Sequence, residues 1–336
     1  MILVTGASGL LGSHLCYHLL KEGKNVIGLK RKDSRLQNTK EIFSFYNEEK
    51  LFENIVWEEG DILDYFSLQE IMKKHAVTEI YHCAALVSFE RKDEHNLFKI
   101  NIEGTANMVN LAVDFNVGKF CHVSSIAALS QPDKNDVVTE KVVWKSSPMH
   151  TNYSISKYGA EREVWRGMEE GLNVVVVNPS LIIGPGCWNQ SSGMLISNAK
   201  KGIKFYSPGG TGLVDVRDVV KVMISLMEKN IFGERFILNS ENLWFKEILT
   251  LPQLEFGNKE PGIKISKFIF RLGYRAERIM CIFNGKKPRL AKEFVKSGFE
   301  KVDYSSKKII DKLNFSFISV KQSFQWTCKF FPSDKR

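Results

Sequence analysis

Thr5-Gly6-Ala7-Ser8-Gly9-Leu10-Leu11-Gly12 stands near the start of this 336-residue chain, between an apolar run, Met1–Thr5, and an amphipathic run, Leu10–Lys21. Glycines permit a tight turn and let a pyrophosphate approach the backbone closely. The first turn of a helix adds free N–H groups and the positive end of the helix dipole. The spacing is G-x-x-G-x-x-G rather than the commoner G-x-G-x-x-G, but its place between a strand and a helix predicts a pyrophosphate-binding turn.

Short apolar runs and longer amphipathic runs continue to alternate as far as Pro179. Continuous apolar strands separated by helices indicate a parallel sheet covered on both faces. We therefore predict an α/β, Rossmann-type domain with a doubly wound parallel sheet. The predicted strands are Met1–Thr5, Asn25–Leu29, Ile55–Glu58, Glu79–Cys83, Lys119–Ser124 and Leu172–Asn178. The predicted helices are Leu10–Lys21, Tyr65–Lys74, Asp93–Phe115 and Asn152–Glu170.

The pattern changes after Pro179, where glycine-rich loops interrupt shorter elements. We predict a helix over Arg217–Glu228 and a strand over Arg235–Asn239. This part is interpreted as a smaller substrate lobe over the carboxyl edge of the sheet. The predicted division is a dinucleotide-binding domain over residues 1–178 and a lobe over residues 179–336 that is partly interleaved with it.

The composition is that of an ordinary globular protein, with 43% hydrophobic and 25% charged residues. No apolar run reaches about 18 residues, so we expect no transmembrane helix and no stable membrane insertion. The 6 cysteines form no C-x-x-C pair and fall mostly in apolar runs, which is typical of free thiols in the cytoplasm. The 7 histidines show no metal-ligand spacing, so we predict no metal.

The net charge of +9 is concentrated in the C-terminal segment Lys264–Arg336, which holds 18 basic and 6 acidic residues. Such a segment can attract anions, acidic membrane surfaces or nucleic acid. No nucleic-acid motif accompanies the charge, so we expect no nucleic-acid partner. Apolar runs such as Phe268-Ile269-Phe270 need burial, and we therefore predict that the segment belongs to the folded lobe and exposes a solvated basic surface.

Tyr153 and Lys157 lie four residues apart on a predicted helix and therefore share a face. A nearby ammonium would lower the pKa of a phenol, which could then exchange a proton with a hydroxyl or carbonyl oxygen. This pair lies between strands that end in Ser124-Ser125 and Asn178-Pro179-Ser180, and that context selects it for chemistry. Three other pairs share the Y-x-x-x-K spacing: Tyr17/Lys21, Tyr46/Lys50 and Tyr304/Lys308.

With these features the chain resembles the extended short-chain dehydrogenases/reductases of the NAD-dependent epimerase/dehydratase superfamily. Within it, the chain is most similar to the branch of the dihydroflavonol reductases and 3β-hydroxysteroid dehydrogenases. The stretches that carry the resemblance are Thr5–Gly12, Gly60–Asp64, His82–Ala85, Asn101–Thr105, Val123–Ser125, Tyr153–Lys157 and Asn178–Gly186. Together they are highly specific for the superfamily and weakly specific for the substrate.

The resemblance implies a role for each matching residue. Ser125, with Ser124 as the alternative, would hydrogen-bond the substrate oxygen. Tyr153 would be the acid/base, and Lys157 would hold the nicotinamide ribose and tune Tyr153. Asn101 matches the superfamily's helix-borne asparagine, for which a structural role is the alternative. Cofactor contacts are implied for Gly6, Ser8, Gly9, Leu10, Leu11, Gly12, Asp61, Ile62, Ala84, Ala85, Tyr153, Lys157 and Pro179.

The end of the second predicted strand, Leu29-Lys30-Arg31-Lys32, carries no acid before Asp33. An acid at this place binds the ribose 2′-hydroxyl of NAD, whereas a base binds the 2′-phosphate of NADP. We predict that Arg31 binds the 2′-phosphate, with Lys30 or Lys32 assisting, so that NADP(H) is favoured over NAD(H). A solvated basic turn is the alternative.

Aromatic and aliphatic side chains are expected to line the substrate site, which suits an apolar or ring-shaped carbonyl compound. For the tryptophan of this group, packing inside the lobe is the alternative. The residues expected to face the substrate are Val87, Ser88, Phe89 and Trp188. In the segment that holds Asp215 and Arg217, we expect Asp218 to cap or pair structurally rather than to catalyse.

The preferred hypothesis is an NADP(H)-dependent oxidoreductase that interconverts a carbonyl and an alcohol on a small molecule and acts as a monomer or homodimer. One alternative is a nucleotide-sugar epimerase or dehydratase that keeps NAD tightly bound. Arg31 and the lack of an acidic dyad near Ser124-Ser125 stand against it. The other alternative is a non-catalytic NAD(P)-sensing regulator, a class that usually loses the Tyr–Lys pair retained here.

Overall fold

The computed structural model describes residues 1–130, 136–147, 150–270 and 298–332. Much of the basic C-terminal segment, including Cys281, lies outside these ranges. The strands are β1 (Ile2–Thr5), β2 (Val26–Lys30), β3 (Val56–Glu59), β4 (Glu79–His82), β5 (Lys119–Val123), β6 (Val174–Pro179), β7 (Leu181–Ile183), β8 (Phe205–Tyr206), β9 (Gly210–Asp215), β10 (Glu234–Leu238), β11 (Glu241–Trp244) and β12 (Ile263–Lys264). The helices are α1 (Leu10–Lys21), α2 (Gln37–Phe45), α3 (Tyr65–Lys74), α4 (Glu94–Phe98), α5 (Gly104–Asp114), α6 (Asn152–Glu169), α7 (Ser191–Lys201), α8 (Val216–Glu228), α9 (Phe245–Glu255), α10 (Lys307–Leu313) and α11 (Val320–Lys329).

Seven strands form the central sheet in the order β10-β6-β5-β4-β1-β2-β3, and every neighbouring pair is parallel. The chain moves outward from β1 to β3 and then returns to β4 on the other side of β1. At such a reversal a crevice opens outside the carboxyl ends of the strands. The predicted doubly wound α/β fold is confirmed.

The predicted elements of the first half agree closely with the observed ones, and their ends differ by about two residues at most. One predicted helix, Asp93–Phe115, is not uniform, because a π-helical turn over Lys99–Glu103 separates α4 from α5. Helix α2 was missed by the sequence patterns. Its residues are mostly polar, and its buried side chains are only Thr39, Ile42 and Phe43.

Apolar cores cover both faces of the sheet. Leu15 of α1 and Met223 of α8 pack on one face, and Leu68, Met108 and Val164 of α3, α5 and α6 pack on the other. Burying one such side chain stabilises the fold by about 1.5–3 kcal/mol. The strand ends that border the crevice are therefore held by packing on both sides.

The smaller lobe is built on a three-stranded sheet, β11-β9-β7, with α7, α9 and α11 beside it. Its core includes Ile183, Ile248 and Phe324. Strand β10 and helix α8 come after residue 179 but belong to the main sheet and its cover, so the two ranges of the chain interleave. Within the described ranges, the structure contains no helix of the length and hydropathy needed to cross a membrane.

Candidate active site

The glycine-rich turn between β1 and α1 has no room for side chains at two positions. Gly6 has a φ of +66°, in the left-handed region that favours glycine. A Cβ on Gly12 would lie 2.2 Å from the carbonyl oxygen of Gly6. Gly9 precedes α1 without a side-chain cap, and an uncapped helix start leaves its N–H groups to a ligand or water. Such a tight turn at an uncapped helix start fits a pyrophosphate, which can accept hydrogen bonds from the free N–H groups. Its partly or fully buried neighbours are Ser8, Leu10 and Leu11.

Three side chains predicted to carry the chemistry lie at the end of β5, where Tyr153 contacts Ser125 and Lys157 contacts the last residue of the strand. Lys157 is buried, and its Nζ donates a hydrogen bond to the carbonyl oxygen of Val123 at 2.8 Å. Burial lowers the pKa of Lys157 to about 8, while the nearby Glu161 carboxylate raises it. Burial raises the pKa of the Tyr153 phenol, and a hydrogen bond with the Ser125 side chain lowers it. The group can therefore hold an oxygen atom and exchange a proton with it.

Ser125, rather than Ser124, contacts the phenol. The Ser125 side chain is partly exposed, and its Oγ accepts a hydrogen bond from the N–H of Ala127 at 3.1 Å. Ser124 is only 6% exposed. This geometry favours Ser125 as the residue that meets a substrate oxygen.

The other Tyr–Lys pairs lie in packing or ion-pair environments. Tyr17 stacks on Tyr46, with ring centroids 3.9 Å apart, and the Tyr46 hydroxyl lies 2.7 Å from Nδ1 of His14. The backbone N–H of Tyr304 donates to Oδ1 of Asn242 at 3.0 Å. These contacts give each of the three tyrosines a structural role.

The loops after β4 and β6 border the same crevice. Ala84 and Ala85 follow β4, and Pro179 ends β6. The N–H of Ala84 donates to Oγ1 of Thr5 at 3.1 Å, and a Cβ on Gly6 would lie 2.8 Å from that nitrogen. The loop after β4 therefore lies directly against the glycine-rich turn.

Asp61 and Ile62, implied to flank an adenine, follow β3. Ile62 is 7% exposed and packs against Gly104, where a Cβ would lie 2.5 Å from its Cδ1. The exposed Asp61 accepts a hydrogen bond from the N–H of Leu63 at 2.9 Å. Ile62 thus packs beneath the loop after β3, while Asp61 is exposed to solvent.

The basic residues at the end of β2 point to different surroundings. Lys30 turns toward β3, where its Nζ lies 3.5 Å from Oε2 of Glu59. The Arg31 side chain is 65% exposed, with Nε 3.6 Å from Oδ1 of Asp33. Lys32 is also exposed. Arg31 therefore stands at the carboxyl end of β2 with a weak pairing that a phosphate can replace.

Asn101 has a structural role in the π-helical turn. Its Nδ2 donates to the carbonyl oxygen of Leu86 at 3.0 Å and to Oγ of Ser156 at 2.9 Å, and its Oδ1 accepts from the N–H of Leu86 at 2.7 Å. The amide therefore hydrogen-bonds the loop after β4 to α6, which agrees with the alternative that Asn101 has a structural role.

A buried polar chain that the sequence patterns did not reveal continues from this turn. Oγ1 of Thr105 donates to the carbonyl of Asn101 at 2.6 Å, so it accepts from Nε2 of His82 at 3.0 Å. The other ring nitrogen then accepts from the Thr5 hydroxyl at 2.8 Å. Burial lowers the pKa of His82 to about 3, so the neutral ring links β1, β4 and α5 rather than donating protons to a substrate.

Two apolar residues of the loop after β4 are exposed, and one of them contacts the phenol. Val87 is 48% exposed and Phe89 is 40% exposed. The Phe89 ring meets Tyr153 edge to face, with centroids 5.6 Å apart. The Ser88 hydroxyl is used inside the loop, since it donates to Oδ2 of Asp93 at 2.7 Å.

Trp188 does not lie in this open region. It is 3% exposed, belongs to the core of the lobe and meets Phe331 with ring centroids 5.1 Å apart. Its placement corrects the expectation that it faces the substrate and agrees with the packing alternative. Local sequence could not distinguish the two, because the aromatic partner is far away in the chain.

The acidic segment before α8 is structural. Asp215 caps α8 through the N–H of Arg217 at 2.8 Å and pairs with the guanidinium of that residue at 2.7 Å. Asp218 accepts from the N–H of Ile318 at 2.7 Å, and burial raises its pKa to about 6. Asp215, rather than Asp218, is therefore the cap, while Asp218 joins α8 to the C-terminal part of the chain.

Glu161 and Asn178 were not singled out from the sequence. They meet in the interior, where Nδ2 of Asn178 donates to Oε1 of Glu161 at 2.5 Å. The available signal was the spacing of Glu161 four residues after Lys157, which puts both on one face of α6.

Sequence comparison identifies relatives of this chain. A sequence profile of the NAD dependent epimerase/dehydratase family matches residues 2–238. A Synechocystis sp. protein that carries the name dihydroflavonol 4-reductase is 26% identical over 329 residues, covering 95% of this chain and 91% of that one. Sterol demethylase protein B of Methylococcus capsulatus is 30% identical over 267 residues, covering 78% and 76%. The NADPH-dependent methylglyoxal reductase GRE2 of Saccharomyces cerevisiae is 24% identical over 302 residues, covering 79% and 85%.

Solved structures show the same fold. The crystal structure of gox2253 superposes with a TM-score of 0.81 at 25% identity and covers 98% of this chain and 97% of that one. The UDP-glucose 4-epimerase of Thermus thermophilus, solved with NAD, has a TM-score of 0.74 at 18% identity, with 99% of both chains covered.

Proposed function

Because the chain belongs to the NAD-dependent epimerase/dehydratase family, we propose that it interconverts a carbonyl and an alcohol on a small apolar or ring-shaped substrate, with NADP(H) as its preferred cofactor. It is an NAD(P)-dependent reductase or dehydrogenase of the extended short-chain type. The observation that carries the proposal is the placement of Ser125, Tyr153 and Lys157 at the end of β5.

Each of these three side chains has a step in the proposed reduction. Ser125 donates a hydrogen bond to the substrate carbonyl oxygen, and Tyr153 passes its phenolic proton to that oxygen as the alcohol forms. A bound nicotinamide supplies the hydride to the carbonyl carbon. Lys157, charged and one helical turn after Tyr153 on α6, stabilises the phenolate that remains. Oxidation uses the same groups in reverse.

The proposed cofactor site follows the carboxyl edge of the sheet. Backbone N–H groups of the glycine-rich turn hold the pyrophosphate, and Asp61 with Ile62 flanks the adenine. Ala84, Ala85 and Pro179 line the nicotinamide side. This assignment is supported by the uncapped start of α1 and by the tight turn before it, in which side chains at Gly6 and Gly12 would collide with backbone atoms.

NADP(H) preference rests on the exposed guanidinium of Arg31 at the end of β2. An arginine there matches a phosphate in both charge and geometry. Glu59 and Asp33 are the acidic groups nearest the basic turn, and they pair with Lys30 and Arg31 over 3.5 and 3.6 Å. A 2′-phosphate can displace such exposed, long pairs at little cost.

The substrate class is inferred from the surface beside the phenol. Phe89 and Val87 present apolar area there, and the Phe89 ring already contacts Tyr153. A flat or apolar carbonyl compound can pack on this ring while its oxygen reaches the Ser125 and Tyr153 hydroxyls.

The second candidate is an epimerase or dehydratase that keeps NAD bound through repeated turnovers. The fold it shares with the UDP-glucose 4-epimerase of Thermus thermophilus supports this candidate. Arg31 opposes it, because a 2′-hydroxyl gives the guanidinium no charged partner.

The deciding experiment is a panel of aldehydes and ketones scored by NADPH and NADH oxidation, together with analysis of nucleotide released from dialysed, heat-denatured protein. Reduction of ring-bearing carbonyls with exchangeable NADPH is expected. Protein that retains NAD and reduces no carbonyl compound would contradict the reductase proposal and support the epimerase or dehydratase.

A further inference from the structure

A buried carboxylate lies directly beyond Lys157 on α6. Glu161 follows it by four residues, so the two side chains are neighbours on the helix, and Glu161 is only 1% exposed. A carboxylate removed from water is unfavourable unless it is paired and hydrogen-bonded. Its place beside the proton-transfer pair therefore needs an explanation.

Burial raises the pKa of the Glu161 carboxyl, while hydrogen bonds with the Ser124 and Asn178 side chains and the charges of Arg235 and Lys157 lower it. Nδ2 of Asn178 donates to Oε1 at 2.5 Å, and the same nitrogen donates to the carbonyl oxygen of Ser125 at 3.0 Å. Nη1 of Arg235 lies 3.5 Å from Oε2, while the other guanidinium nitrogens donate to the carbonyl oxygen of Glu140 at 3.0 and 2.7 Å. The carboxylate is thus connected through one amide to the backbone of Ser125.

The titratable groups near Lys157 come from three further places. His82 lies on β4, Cys83 follows it, and His122 lies on β5. Burial lowers the pKa of His82 to about 3 and that of His122 well below its usual value, and it raises the pKa of Cys83 to about 12. These three groups are neutral near pH 7. Of the titratable groups around Lys157, Glu161 is therefore the one that can carry negative charge.

We propose that Glu161 is a positioning residue of the active site, which keeps Lys157 charged and, through Asn178, holds the backbone of Ser125. The inference rests on the proposed function, in which Lys157 and Ser125 serve proton transfer to the substrate oxygen. Arg235 is the cation that pairs with the Glu161 carboxylate, with Nη1 3.5 Å from Oε2. Burial lowers the pKa of Lys157 and Glu161 raises it, whereas Arg235 acts on Glu161, whose pKa its charge lowers.

Glu161→Gln removes the charge and keeps the size of the side chain. Lys157 then loses its proton at lower pH, so the alkaline limb of kcat/KM for carbonyl reduction moves to lower pH by about 0.5–1 unit. The NADPH dissociation constant, measured by fluorescence titration across pH, shows the same displacement, because Lys157 also serves the ribose. Glu169→Gln is the matched control, since it removes an exposed carboxylate from the same helix, and its profiles coincide with those of the wild type.

Arg235→Met tests the same link through the carboxylate. The charge of Arg235 lowers the pKa of Glu161, which burial raises, so without the guanidinium Glu161 binds a proton more readily and Lys157 loses its negative neighbour. The alkaline limb and the NADPH-binding profile then both move to lower pH, as in Glu161→Gln. Circular dichroism and thermal unfolding establish that each variant is folded.

Superimposable pH profiles for folded Glu161→Gln and wild type would overturn the proposal and leave Glu161 a packing residue. Where Glu161→Gln does not fold, Arg235→Met decides, and an unchanged or alkaline-shifted profile overturns the proposal in the same way. A wild type that reduces no carbonyl compound contradicts the proposed function. The pH dependence of NADPH binding still tests Glu161, so the two failures are distinguishable.

Discussion

At the scale of single residues, surroundings distinguish Tyr153 from the other tyrosines that precede a lysine by four positions. Tyr153 contacts the Ser125 side chain and the exposed ring of Phe89. For Tyr17, burial and then the Glu48 carboxylate, 3.5 Å from the hydroxyl, raise the pKa of the phenol. A phenol beside a carboxylate holds its proton, whereas at Tyr153 burial raises the pKa and the hydrogen bond with Ser125 lowers it.

Tyr153→Phe removes the hydroxyl and keeps the ring. Turnover at saturating NADPH is expected to fall by about 10²–10⁴, the usual contribution of a positioned acid/base, while NADPH binding stays close to that of the wild type. Steady-state kinetics with a substrate from the carbonyl panel measures the loss. Tyr17→Phe is the control and should remain within a few-fold of wild type. Undiminished turnover of Tyr153→Phe would contradict the proposed dehydrogenase mechanism and favour the alternative of a non-catalytic NAD(P)-sensing regulator.

Arg31→Ala tests cofactor choice. Loss of a charge-assisted contact to phosphate costs about 1.5–3 kcal/mol, so NADPH binding should weaken by roughly ten- to a hundredfold. Binding of NADH should hardly change, because NADH has no 2′-phosphate. Fluorescence titration with both nucleotides measures the effect, and Arg162→Ala, which alters an exposed arginine of α6, is the control. A wild type that binds both nucleotides equally contradicts the assignment.

At the scale of elements, β1, the glycine-rich turn and α1 act as one unit. The turn can reverse the chain so tightly because Gly12 lies against the backbone of Gly6, and Gly6 lies against the loop after β4. The same closeness brings the N-terminus of α1 to the crevice between β1 and β4. Phosphate binding and strand–helix packing therefore depend on the same missing side chains.

Gly12→Ala places a methyl group where the Gly6 carbonyl oxygen stands 2.2 Å away. The turn must open, so NADPH binding is expected to weaken at least tenfold, and overpacking is expected to cost about 1–3 kcal/mol of stability. Nucleotide titration and thermal unfolding check the two effects. Gly262→Ala is the control, because a Cβ there has nothing within 4 Å. A Gly12→Ala variant with the NADPH affinity and thermal stability of the wild type would show that the turn accommodates the added methyl group.

At the scale of the whole molecule, the C-terminal part of the chain joins the sheet to the lobe. Ile309 of α10 is buried in the core of the main sheet, and Phe324 of α11 is buried in the core of the lobe. The N–H of Ile318 donates to Asp218 at 2.7 Å, which attaches the same segment to α8. The end of the chain is thus a structural part of both cores.

Deletion of Lys264–Arg336 should therefore give insoluble or unstable protein, and a soluble, fully active truncation would contradict this. A finer test is Phe324→Ala, which removes a fully buried ring and should destabilise the fold by about 3–5 kcal/mol in denaturant unfolding. Phe268→Ala is the matched control, since that ring is 70% exposed and its loss should change stability by less than about 0.5 kcal/mol. The expectation that the run Phe268-Ile269-Phe270 is buried is wrong for its first two residues, because Ile269 is also 59% exposed.

Local patterns in the chain predicted much of this architecture. Strands β1 to β6 and helices α1, α3 and α6 follow from runs of apolar residues whose periodicity acts over a few positions. The glycine spacing in Thr5–Gly12 and the place of Tyr153 and Lys157 between two strand ends pointed to the crevice. Topology then brings the strand ends together, because parallel strands share one carboxyl edge.

Contacts between distant residues decided the rest. Trp188 is a core residue because Phe331 returns to cover it, and Asn101 is structural because Leu86 and Ser156 surround its amide. A side chain's burial and partners depend on what the fold places against it, and such partners leave no periodic signal in the neighbouring sequence. The doubly wound sheet and the Tyr153–Lys157 pair could therefore be predicted from the local sequence. The burial of Trp188 and the hydrogen bonds of Asn101 arise only from tertiary packing.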